Sequence, residues 1–182
     1  MIGTVGSHFF IDETKAESYV VVAALVPDAS LNPARRTVTR MVLPGQRSIH
    51  MKHENARRRE QIARAMCELT ELGVQATIFD AGRGPAPEVV RRERALRALV
   101  GRASAEPTAS LVLDLDQTLL ARDARILSEA IREARSPSLT YSHQLLAAQP
   151  LLSIPDVIAW SWARGGDWRR RVDPLISAVI QV

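Results

Sequence analysis

At 182 residues and 46% hydrophobic, the chain can bury one well-packed core but not two, so we expect a single domain over residues 1–182. It has no charged-then-apolar leader, no apolar run near the roughly 20 residues that cross a bilayer, and a lone Cys67 without disulfide or zinc partners; these features predict a cytoplasmic protein. The net charge of +4 comes from 24 basic residues of which only Lys15 and Lys52 are lysines, and arginine pairs well with phosphate, although a GC-rich genome produces the same composition.

The N-terminal half of the chain is predicted to open with a β-hairpin, because two β-rich runs are joined by a short polar connection. A later amphipathic pattern ends at Gly73 and predicts the first long helix. We assign strands over 8–15 and 19–26, a loop-rich stretch over 27–44, a third short strand over 48–52 that we leave open, and a helix over 54–72.

The C-terminal half alternates strands and helices, which predicts parallel strands with helical crossovers. We assign strands over 74–79, 111–115 and 139–146, and helices over 89–100, 122–135 and 153–162, the second helix closed by Gly101 and the last capped by Ser153. The charge runs at 57–60 and 91–94 are interpreted as solvated helix faces. The predicted fold is therefore α/β, a mixed sheet with an N-terminal antiparallel hairpin, parallel strands, and helices on both faces.

Asp12 lies inside an apolar strand, where a carboxylate is costly to bury unless it is paired, hydrogen-bonded or bound to a metal. Strand alternation sends Asp12 and Glu13 to opposite faces, so both serve one site only if the strand ends there. We therefore favour Asp12 as a metal ligand and keep Glu13 as an auxiliary ligand or base.

Asp114 and Asp116 are two residues apart in a predicted strand and so are expected to share a face. Two such carboxylates could hold a divalent ion between them, or they could simply line the exposed face of a half-buried strand. Asp80 ends another strand and is a weaker candidate, since aspartate is common in turns.

Asp156 opens the last predicted helix, where it could be a ligand, a helix cap or both. His50, Lys52 and His53 cluster before the first long helix and could contact phosphate or assist proton transfer, although an ordinary polar surface explains each one alone.

Four aspartates from three separated elements form the predicted metal site: Asp12, Asp114, Asp116 and Asp156. Hard oxygen ligands of this kind suit Mg²⁺ or Mn²⁺, and two such ions can support hydrolysis of a phosphodiester. The sequence thus predicts a metal-dependent nuclease acting on RNA or DNA, and it leaves open whether the protein forms a homodimer.

The motifs FIDETK, SIHMKHE, LVLDLDQT and LLSIPDVIAWSWARGG together resemble a family catalogued as domain of unknown function thirty-eight hundred. The resemblance spans nearly the whole chain and implies a ribonuclease-H-like fold with a metal site. The family's Asp-Glu-Ser opening corresponds to Asp12 and Glu13, its acidic strand to Asp114 or Asp116, and its late Ala-Asp pair to Asp156. Thr14 and Pro155 depart from that pattern, but neither removes a carboxylate.

Two other functions are consistent with the sequence. LVLDLDQT also resembles the first motif of haloacid-dehalogenase-type phosphohydrolases, with Asp114 as nucleophile and Asp116 as general acid/base, but no lysine follows it. Alternatively, the chain is a non-catalytic module that binds nucleic acid or another partner through its arginines.

Overall fold

The structure is a computed structural model that describes residues 6–182. Its central element is a six-stranded mixed sheet. The strands are β1 Ser7–Thr14, β2 Val20–Pro27, β3 Gln75–Asp80, β4 Ala109–Asp114, β5 Leu139–Gln144 and β6 Ile176–Gln181. The helices are α1 Leu31–Arg40, α2 Ala56–Cys67, α3 Glu88–Ala103, α4 Leu120–Glu133, α5 Ser153–Arg164 and α6 Gly166–Val172.

The strand order is β5-β4-β1-β2-β3-β6. Strand β2 pairs antiparallel with both β1 and β3, β4 pairs parallel with β1, β5 pairs parallel with β4, and β6 pairs parallel with β3. The central strands β1, β2 and β4 are apolar on both sides because helices cover both faces of the sheet.

Two hydrophobic clusters lie on opposite faces of this sheet. One packs β-strand residues such as Phe10 and Val22 against α1, α2, α5 and α6. The other packs residues such as Phe9 and Ile11 against α3 and α4. The predicted mixed sheet with helices on both faces is therefore confirmed, as is the N-terminal hairpin.

Two predictions for the segment before α2 are wrong. The stretch 27–44 is not a loop, because α1 places Ala34 and Val38 four residues apart, fully buried against the sheet. The stretch 48–52 does not join the sheet, since it forms an irregular segment followed by a short 3₁₀ turn, Met51–His53. Its Met51 backbone N–H donates instead to the Asp156 side chain of α5.

The remaining differences from the predicted elements concern the ends of helices and the C-terminal part of the chain. Helix α3 continues past Gly101 to Ala103, Ser153 lies inside α5 with its hydroxyl donating to the Ile49 carbonyl (3.4 Å), and α6 and β6 were not predicted. No helix among the described residues is long and apolar enough to cross a bilayer. The expectation of no leader rests partly on residues 1–5, which lie outside the described residues.

Candidate active site

Two aspartates meet at the carboxyl ends of the adjacent parallel strands β1 and β4. Ile11 pairs with Leu113 in the strand register, so the following residues, Asp12 and Asp114, lie side by side. Both side chains point to the face covered by α5, because alternation places them with Phe10 and not with Ile11. Asp12 is thus held next to Asp114 by backbone geometry alone.

Asp156 brings a third carboxylate to this edge from α5, which crosses β1 and β2. It is only 7% exposed, yet it has two hydrogen-bonding partners. Its Oδ2 accepts a bond from the Met51 backbone N–H at 2.9 Å, and His50 Nδ1 lies 2.8 Å from its Oδ1. Asp156 therefore ties the segment before α2 to α5, and its side chain bonds to that segment and does not cap its own helix.

The three carboxylates lie close enough to influence one another electrostatically. Burial, followed by the negative charges of Asp156 and Asp114, raises the pKa of Asp12 from 3.8 to about 8. Burial also raises the pKa of Asp114, although backbone amides partly oppose this. Charges that repel one another at the end of a sheet are costly unless a cation offsets them.

His50 is the neighbour of this group that carries a positive charge when its ring is protonated. Its hydrogen bond to Asp156 is the main reason that the pKa of His50 is raised above its ordinary value. The imidazole is 46% exposed, so it reaches from the buried carboxylates to solvent. His53 packs edge-to-face on His50 with ring centroids 5.3 Å apart, and Lys52 is exposed on the same short turn.

Glu13 lies on the other face of the sheet and belongs to a different cluster. It forms ion pairs with Arg92 and with Lys15 (3.1 Å), and it accepts a hydrogen bond from the Tyr19 hydroxyl at 2.7 Å. The strand continues to Thr14, so alternation separates Glu13 from Asp12. Asp12 and Glu13 both line a cavity of about 120 Å³, which Asp114, Asp116 and Arg92 also line.

The prediction that Asp116 shares a strand face with Asp114 is wrong, because β4 ends at Asp114. Asp116 Oδ1 accepts bonds from the backbone N–H of Thr118 (2.8 Å) and from its hydroxyl (2.6 Å), which hold the pKa of Asp116 below its usual value. A lowered pKa is the opposite of what a general acid needs, which weighs against the phosphohydrolase alternative.

Arg92 is the residue that sequence reasoning missed, since the run 91–94 was interpreted as a solvated face. Arg92 is 6% exposed and donates to both oxygens of the buried Asp123, from Nε at 2.7 Å and Nη2 at 2.6 Å. His143 Nε2 lies 3.3 Å from the same carboxylate. The sequence did contain a signal for this buried pair. Asp123 precedes Ile126 by three residues and Leu127 by four, so it lies on the helix face that packs into the core.

The donor set suits a hard divalent cation in chemistry and charge, because Asp12, Asp114 and Asp156 supply oxygen ligands from three separate elements. Within residues 6–182, no three histidine, cysteine or acidic side chains are arranged so that they could hold a metal ion as they stand. The three carboxylates thus converge without closing into a cage. The hydrogen bond to the Asp12 carboxylate comes from the Glu13 backbone N–H (2.7 Å), which provides no countercharge.

Comparison with known proteins gives a fold. No protein-family model matches the chain, and no curated protein matches it. The chain is similar to a chain in a solved structure described as "Structure of the PCNA:RNase HII complex from Archaeoglobus fulgidus". The match covers 88% of this chain and 73% of the other chain, with a TM-score of 0.53 and 14% sequence identity. The resemblance to the family of unknown function stays a prediction, and the fold of the chain is ribonuclease-H-like.

Proposed function

We propose that this protein is a metal-dependent nuclease that hydrolyses the phosphodiester backbone of RNA or DNA. One observation carries the proposal: Asp12, Asp114 and Asp156 converge from β1, β4 and α5 at one edge of a ribonuclease-H-like sheet. The fold shared with a structure that contains an RNase HII supports this chemistry. The arginine-dominated positive charge supports a polyanionic substrate.

The three aspartates would hold Mg²⁺ or Mn²⁺. Such a cation supplies Lewis-acid activation of water and stabilises the leaving oxygen of a phosphodiester. His50 orients Asp156 through its Nδ1 and presents the rest of its ring toward solvent, where it can contact a phosphate or donate a proton. Lys52 adds positive charge beside it and His53 adds a second imidazole, whereas we assign Glu13 to the ion pair with Arg92.

Single aspartate-to-asparagine variants test the proposal directly. In a gel assay with labelled RNA, DNA and RNA–DNA hybrid, Asp12→Asn, Asp114→Asn and Asp156→Asn should each lower Mn²⁺-dependent cleavage by roughly 100-fold or more, because each removes a ligand charge. His50→Gln should cost roughly 10–100-fold, as expected for a residue that orients a ligand.

Asp116→Asn is the matched comparison, since this carboxylate lies two residues from Asp114 but is engaged by Thr118. It should cleave within a few-fold of the wild type, and circular dichroism should show that all variants are folded. Wild-type cleavage that persists in EDTA, or cleavage retained by the Asp12 and Asp156 variants, would overturn the nuclease assignment.

A further inference from the structure

A second cavity lies beside the three carboxylates at the same edge of the sheet. Its volume is about 370 Å³, within the range of small-ligand pockets. We call it the Trp162 cavity after the aromatic residue in its wall. Its other charged or polar lining residues include Thr14, Glu17, Asp80, Arg83 and Arg169.

The Trp162 cavity lies where a nucleic-acid strand bound at the three carboxylates would continue across the protein. Thr14 lies two residues after Asp12 on β1, and therefore on the same face of the sheet. Trp162 lies six residues after Asp156 on α5, about 9 Å along the helix axis. The neighbouring nucleotide of a strand bound at the carboxylates would reach this cavity.

Arg169 is the cation of this cavity that has no acidic partner among residues 6–182. Its guanidinium lies 3.9 Å from the centre of the Trp162 ring, and its Nη2 donates to the Trp162 carbonyl at 3.1 Å. Stacking fixes the orientation of the side chain, so less conformational entropy is lost when its free edge binds an anion. A planar guanidinium edge is matched to two phosphate oxygens.

The other charged groups of the cavity are already engaged. Asp80 Oδ1 accepts a bond from the Gly82 backbone N–H at 2.9 Å, and Arg83 forms an ion pair with Glu17. Two of the other arginines stacked on tryptophan rings are engaged too: Arg59 donates to two backbone carbonyls beside Trp160, and Arg171 pairs with Glu60. Arg169 differs from them because it lines a cavity.

We propose that the Trp162 cavity binds the nucleotide next to the cleaved phosphodiester, with Arg169 contacting the phosphate of that nucleotide and Trp162 holding the Arg169 guanidinium in place by stacking. This inference rests on the proposed nuclease function and names the part of the substrate strand that the protein holds outside the carboxylate group.

Oligonucleotide binding measured without turnover tests the proposal. Fluorescence anisotropy in EDTA with 5′-fluorescein decamers of oligo(U) and oligo(dT) reports affinity for RNA and DNA separately. Arg169→Ala should raise Kd by about tenfold. It should also lower the slope of log Kd against log salt concentration by about 1, as expected for the loss of one phosphate contact. The Kd of Arg169→Lys should lie between those of the wild type and Arg169→Ala, because lysine keeps the charge but lacks the planar guanidinium edge. Trp162→Phe should weaken binding less than Arg169→Ala.

Arg132→Ala is the control, since Arg132 is an exposed arginine on α4, on the opposite face of the sheet. Equal Kd values for Arg169→Ala and Arg132→Ala, or no decamer binding by the wild type, would overturn the subsite. If metal-dependent cleavage is then still seen, the nuclease function survives alone. If decamers bind through Arg169 but no metal supports cleavage, the nucleotide site stands and the nuclease assignment falls.

Discussion

A single buried arginine pairs with two carboxylates on the face of the sheet opposite the candidate site. Arg92 reaches from α3 to Glu13 on β1 and to Asp123 on α4, so it joins three elements across one face of the sheet. A buried ion pair adds little net stability, but removing one member leaves a charge without a partner in a poorly solvated place. Arg92 therefore serves the packing of the sheet edge.

Replacing Arg92 should be far more damaging than replacing its exposed neighbour. Arg92→Met should lower the free energy of unfolding by roughly 3–5 kcal/mol, because Glu13 and Asp123 then lose their shared cation. Urea denaturation followed by circular dichroism measures this. Arg94→Met, on the solvent side of α3, should change the free energy by less than about 0.5 kcal/mol. Similar losses for the two variants would show that the buried pairing is unimportant.

At the scale of elements, α1 is the feature that sequence patterns predicted least well. Its apolar positions are few, and the segment carries a proline and three arginines, which favoured a loop. Proline is nevertheless tolerated in the first turn of a helix, where its missing N–H is not needed. The sheet supplies the apolar surface that fixes the helix.

Truncating the buried contact of α1 tests its place in the core. Val38→Ala should destabilise the fold by about 2 kcal/mol, since Val38 is fully buried. Val179→Ala on β6 is the matched control, because Val179 is 46% exposed and should cost less than about 0.5 kcal/mol. Both values come from urea midpoints. Equal effects would place α1 outside the core.

The sequence could predict those parts of the fold and site that depend on local periodicity. The apolar runs of β1, β2 and β4 and the spacing of Ile62, Met66 and Leu69 indicated strands and a helix directly. Register and partner choice are not local, however. The role of Asp156 depends on a contact with Met51, 105 residues away, and the end of β4 before Asp116 depends on a turn that competes with strand pairing.

At the scale of the whole molecule, the pH dependence of stability should reflect the candidate site. The folded state raises the pKa of Asp12 to about 8, so between about pH 4 and 8 it retains a proton that the unfolded chain releases. Stability should therefore fall as pH rises through that window. His50 acts in the same direction, since its pKa is raised and its protonated form is stabilised by Asp156. Asp123, whose pKa is lowered, acts oppositely and should cost stability below about pH 4.

A divalent cation should reverse part of this trend. Because Mn²⁺ binds the deprotonated carboxylates, its stabilising effect should grow with pH, and the thermal midpoint in Mn²⁺ should exceed that in EDTA more at about pH 9 than at about pH 6. Asp12→Asn removes both the titrating group and a ligand. In EDTA at about pH 9 it should be more stable than the wild type by roughly 2 kcal/mol or more, and it should respond weakly to Mn²⁺. A wild-type midpoint that rises from about pH 5 to 8 in EDTA, with no shift in Mn²⁺, would mean that the carboxylates at the ends of β1 and β4 do not share one electrostatic site.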